Sequence, residues 1–79
     1  MRSIHDPRYQ DLIKKLIELR ESKNVTQVEL AHRLGKPQSY VSKIEILERR
    51  IDIIELLDWL HFIEVDPSIF IKGLYDHGR

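Results

Sequence analysis

The chain has no cysteine, so neither a disulfide framework nor a thiolate metal site is open to it. It carries no net charge either, because 13 Lys and Arg are offset by 13 Asp and Glu. A strongly basic total would by itself argue for a polyanionic partner; with a neutral total, what matters is where the charges sit. No apolar run nears the roughly 20 residues that cross a bilayer. The opening MRSIHDPRY lacks the apolar stretch of a secretory leader, so a cytoplasmic location is expected. His5, His32, His61 and His77 are scattered without ligand spacing and read as surface or half-buried imidazoles, so no metal is expected. There is no phosphate-binding glycine loop, and no serine or lysine has the partners of a nucleophile. No enzymatic activity and no cofactor are expected.

At 79 residues the chain is one small domain, residues 1–79, without internal repeat, linker or low-complexity stretch. A domain of this size buries only about 60% of its unfolded surface, so its core is modest. Prolines are few and mark helix starts. Residues 1–5 read as a loose arm. Asp6-Pro7 supplies an N-cap and a first-turn proline, and Tyr9, Leu12, Ile13, Leu16, Ile17 and Leu19 follow at helical spacing up to about Ser22–Asn24. Thr26 and Glu29 form a capping box for a second helix, with Val28, Leu30, Ala31 and Leu34 on its buried face. Gly35 is the natural stop, and Pro37 opens a third helix carrying Gln38 to Ile44. Asp52 and Glu55 are a weaker start for an apolar fourth helix containing Ile53, Ile54, Leu56, Leu57, Leu60 and Ile63, with Trp59 nearby. Asp66-Pro67 repeats the opening signal for a fifth, over 66–79, with Ile69, Phe70 and Leu74 and an end near Gly73. Nothing alternates with period two for long enough to be a strand. The fold class expected is all-α, a bundle of five short helices.

Residues 26–45 are the informative stretch. Two short helices meet at Gly35, with the small Ala31 and the core aliphatics Val41 and Ile44 where a helix-turn-helix needs them. Between Lys36 and Lys43 there are two lysines and no acid, whereas acids gather from Asp52 to Asp66. The stretch from Leu16 to Pro67 resembles the Cro and phage-repressor type of helix-turn-helix, also called the xenobiotic-response-element family. The matching residues are Thr26-Gln27, Leu30-Ala31, Leu34-Gly35, the run from Gln38 to Glu45, and Val65-Asp66-Pro67. The resemblance implies a five-helix bundle of the lambda-repressor-like type that binds double-stranded DNA.

It also implies roles. Gln38, Ser39, Ser42 and Lys43 match the base-reading positions, and the chemistry fits: glutamine pairs with adenine, lysine reaches guanine, and serine adapts to either. Gln27, at the start of helix two, matches a residue that touches a phosphate and braces helix three. Lys36 in the turn is a phosphate candidate. Tyr40 either bonds a phosphate or packs at the edge of the bundle. Arg49 and Arg50 either grip the backbone or are solvated charges. Arg20 and Glu45 match an arginine–acid pair that locks helix one against helix three, a structural bridge rather than a contact.

Two departures stand out. The family has glycine just after the acid of helix three and at the end of helix four, where this chain has Leu47 and Glu64. A left-handed non-glycine residue costs about 1–2 kcal/mol. No Gly or Pro lies between Pro37 and Pro67, and Ile44, Leu47, Ile51, Ile54 and Leu57 keep an approximate helical rhythm. Two arrangements of 46–51 fit: a compact loop with Ile46 or Leu47 against the core, or a helix three that runs on and gives an exchanged dimer. Trp59, Phe70, Leu74 and Tyr75 are candidates for a dimer surface, together with the C-terminal helix. A near-palindromic operator read by a homodimer that represses transcription is the functional expectation. The rival is the same bundle used as a protein-interaction module, for instance an antitoxin-like domain that binds a protein partner.

Overall fold

A computed structural model describes residues 3–77, and the side chains of residues 4–76. After a 3₁₀ turn at Ser3–His5 come five helices: α1 Pro7–Ser22, α2 Gln27–Leu34, α3 Gln38–Glu45, α4 Ile53–Phe62 and α5 Pro67–His77. Part of the expected loose arm is thus a helical turn; Met1 and Arg2 of that arm lie outside the described residues. The starts follow from their caps. Asp6 accepts from the Arg8 amide at 2.8 Å, and both halves of the capping box form at Thr26/Glu29 and at Asp52/Glu55.

The ends of α1 to α4 share one device. In each, a left-handed residue follows the helix: Asn24 (φ 58°), Gly35 (70°), Leu47 (68°) and Glu64 (60°). Each is followed by an amide that reaches back five residues, as in Val25 N–H to Arg20 O, Lys36 to Ala31, Glu48 to Lys43 and Val65 to Leu60. These are Schellman closures, which normally use glycine. Only Gly35 has the residue type suited to it, and Asn24 the next best. Leu47 and Glu64 take the glycine conformation rather than rearranging their loops. α3 therefore stops at Glu45, and the expectation of a continuous helix with an exchanged dimer is set aside. The Tyr9 hydroxyl accepts from the Ile51 amide at 3.1 Å, which pins the α3–α4 loop to α1.

Leu16, Leu30, Val41, Ile44, Trp59, Leu60 and Ile63 are fully buried and draw α1, α2, α3 and α4 onto one core. At about 1.5–3 kcal/mol for each large apolar side chain, this cluster outweighs any single cap. α5 closes it against α1 and α4 by inserting Phe70.

Several expectations are corrected here. Trp59 and Phe70 belong to this core, so neither offers surface to a second chain. Val28 is 60% exposed because Leu30, Ala31 and Leu34 set the inward stripe of α2, and Val28 lies nearly opposite Leu30. Ile69 is 68% exposed because α5 turns Phe70 and Leu74 inward, which carries its flanks to solvent. α5 continues past Gly73 to His77, since a mid-helix glycine costs only about 1 kcal/mol and does not stop a helix.

Candidate DNA-binding surface

α3 has two faces. Val41, Ile44 and Glu45 point inward; Gln38, Ser39 and Lys43 are exposed and Ser42 is half-buried beside them. The four positions named from the sequence therefore share one outward stripe. Beneath it lies a buried polar network. Arg20 donates through Nε to Glu45 Oε2 at 2.7 Å and through Nη2 to Glu45 Oε1 at 2.9 Å, with Nη1 on the Val25 carbonyl at 2.8 Å. Gln27 Nε2 donates to the same Glu45 Oε1 at 2.8 Å, and Gln27 Oε1 accepts from Gln38 Nε2 at 3.1 Å. A chain of hydrogen bonds thus runs from α1 through the end of α3 to its first residue. It fixes the tilt and register of the exposed stripe at both ends.

The stripe is flanked on two sides. On the Gln38 side stands the N-terminus of α2. Thr26 and Glu29 satisfy each other's amides, and those of Gln27 and Val28 have no hydrogen-bond partner among the described residues. A helix start with free amides and a terminal glutamine suits an anion. On the other side Tyr40 lies half-buried, its ring edge-on to Trp59 with centroids 6.4 Å apart. Lys36 Nζ is 5.4 Å and the Arg49 guanidinium 4.9 Å from the Tyr40 ring centroid. So Lys36 and Arg49, which lie on either side of α3 in sequence, meet at Tyr40 within it to form one patch. Burial pushes the Tyr40 hydroxyl above its ordinary value, so it stays a neutral donor. The indole N–H of Trp59 has no partner among the described residues. Arg50 is exposed next to Arg49.

Glu55 is a functional candidate that the sequence reading used only as a helix start. It accepts from Arg49 Nη1 and Nη2 at 3.2 and 3.0 Å. That hydrogen bonding holds the Glu55 carboxyl below and the Arg49 guanidinium above their usual ranges. No local signal marks the pair, which is brought together by the loop. On α5 Leu74 is half-buried, packed against the core with Phe70, and Tyr75 is exposed. Among the described residues no group of three or more His, Asp or Glu side chains is placed to hold a metal ion. None of their helices is long and apolar enough to cross a membrane.

Two short helices, a left-handed turn between them and an outward polar stripe on the second define a helix-turn-helix DNA-binding domain. A helix-turn-helix family model matches residues 16–70, and the chain belongs to that family, in its xenobiotic-response-element branch of DNA-binding regulators. Among solved structures it is similar to an XRE-family like protein from Pseudomonas syringae pv. tomato str. DC3000. The two are 45% identical, with a TM-score of 0.91 over 99% of this chain and 95% of that one. No curated protein matches the chain.

Proposed function

We propose that this protein is a cytoplasmic, sequence-specific transcriptional repressor that binds a near-palindromic operator as a homodimer. The observation that carries the reading is the outward stripe of α3, held by the Arg20–Glu45–Gln27–Gln38 network and flanked on both sides by groups suited to phosphate. In the major groove, Gln38, Ser39, Ser42 and Lys43 read base edges. Gln27 and the α2 amides take a phosphate on one side; Lys36, Tyr40, Arg49 and Arg50 take phosphates on the other. Repression needs only occupancy of the site. Dimerisation is supported by the exposed apolar side chains of α5, Ile69, Ile71 and Tyr75, to which Leu74 adds a half-buried edge. A two-fold pair would set two α3 helices about 34 Å apart, one turn of DNA.

The test is selection of bound duplexes from random DNA, repeated with Gln38→Ala. A two-fold-symmetric motif that relaxes at one position per half-site in the variant is the expected result. Absence of any motif at moderate salt would reject this reading and favour a protein-interaction module. Binding should also weaken steeply with salt, as release of condensed counterions requires.

A further inference from the structure

Arg49 is restrained on three sides. Its Nη1 and Nη2 both reach the Glu55 carboxylate, at 3.2 and 3.0 Å, which is the end-on edge of the guanidinium. Nη1 also donates to the Arg50 carbonyl at 2.8 Å. One face of the group lies 4.9 Å from the centroid of the Tyr40 ring. An arginine carries five N–H donors in a rigid plane. Three are accounted for, and the two left are Nε–H and the second Nη2–H. Among the described residues neither has a hydrogen-bond partner. These two lie parallel on the remaining edge, which is the geometry that takes a phosphate bidentately. The side chain is 44% exposed, so this edge is open to a ligand.

Glu55 is itself immobilised. It is the third residue of the α4 capping box: Asp52 N–H donates to its Oε1 at 3.0 Å, and its own amide donates to Asp52 Oδ1 at 2.7 Å. Its side chain is only 21% exposed. A carboxylate fixed on a helix start thus fixes an arginine that emerges from an irregular loop. We infer that Glu55 is a positioning residue, holding Arg49 so that its free Nε–H/Nη2–H edge meets a DNA phosphate beside α3. The inference rests on the proposed DNA-binding function. It has an outcome that charge alone would reverse. Removing an acid beside a polyanion should tighten binding; removing the acid that aims Arg49 should weaken it, because the freed side chain must then be ordered at a cost in entropy.

The experiment measures affinity of the full chain for its selected operator against salt concentration. Glu55→Gln retains a capping side chain at this position, and its melting temperature is measured beside its affinity. Weakening of about three- to tenfold is expected, with the slope of log K against log salt falling by up to about one phosphate contact. In an Arg49→Gln background the same change should have no further effect, since the two act through one contact. Arg49→Lys keeps the charge but loses the fork, so it too should weaken binding; this variant decides the matter if Glu55→Gln folds poorly. Operator affinity equal to or tighter than the parent in Glu55→Gln, or unchanged in Arg49→Lys, would overturn the positioning role and leave the DNA-binding reading intact. Failure of the parent itself to bind any duplex would overturn both.

Discussion

Replacing Arg20 by alanine should destabilise the fold severely. Arg20 is 7% and Glu45 9% exposed, so the bidentate pair sits in a medium that screens it weakly. Removing the arginine deletes two charge-assisted bonds of 2.7 and 2.9 Å and the donor to the Val25 carbonyl. What remains is a buried carboxylate with only the Gln27 amide at 2.8 Å for company. Breaking a buried pair from one side costs about 3–5 kcal/mol, mainly because the surviving charge stays desolvated. A domain this small holds on the order of 5 kcal/mol in total. Each kcal/mol moves the midpoint by about 4–8 °C in a domain of this length, so Tm should fall by roughly 15–30 °C.

Circular dichroism melts and urea titrations of parent and Arg20→Ala check this directly. A second arm separates the orphaned charge from simple loss of volume. Arg20→Met combined with Glu45→Met removes both charges while filling the space, and should recover most of the loss. If Arg20→Ala melts within a few degrees of the parent, the pair is not a structural lock. If the double variant is as unstable as the single one, the cost does not come from the stranded carboxylate.

The left-handed closures give a second prediction. Glu64→Gly should raise stability by about 1 kcal/mol, since the exposed side chain gives up little and the strain is relieved. Leu47→Gly, with the same backbone but a side chain packed against the core, should give no such gain; paired urea midpoints test both, and equal gains would contradict the packing role of Leu47. A third concerns acid. The Arg8 side chain and amide hold the Asp6 carboxyl at about 2, down from 3.8. A depressed folded value contributes stability that is complete above pH 3.8 and lost as pH falls toward 2. Asp6→Asn should therefore flatten the fall in stability over that window, and an NMR titration of Asp6 with a midpoint near 3.8 would refute it.

The helices were legible in the sequence because their starts are chemical. Asp6-Pro7, Thr26/Glu29 and Asp52/Glu55 each satisfy amides that nothing else nearby could, and each opens a helix as expected. Their ends were harder, because α3 and α4 are closed by Leu47 and Glu64, residue types with no preference for the left-handed region. The stop is imposed by the surrounding structure: Ile51 and Leu56 must reach the core, and the Ile51 amide must reach Tyr9. Interior and surface were confused where an apolar residue lay one step off the inward stripe. Val28 thus reads as buried in the sequence yet is 60% exposed, and Trp59 reads as surface yet is fully enclosed. Of the candidate site, the outward stripe of α3 follows from helical period alone. The patch of Lys36, Tyr40 and Arg49 does not, and neither does the grip of Glu55, because both depend on how the loop between α3 and α4 folds back.

That folding also reconciles a neutral chain with a polyanionic partner. From Lys36 to Arg50 the cations are Lys36, Lys43, Arg49 and Arg50, and the acids are Glu45 and Glu48. Glu45 is turned inward and neutralised by Arg20, so it projects almost no field from α3. The bridge thus has two effects: it sets the angle of the second helix of the motif, and it withdraws the only acid of that helix from the surface. Lys43 then stands on the exposed stripe without an acidic neighbour in the same helix, and Lys36 and Arg49 gather at Tyr40 on its flank. Association with a charged duplex is governed by this local potential within about one Debye length, roughly 8–10 Å at physiological salt, rather than by the net charge of the whole chain.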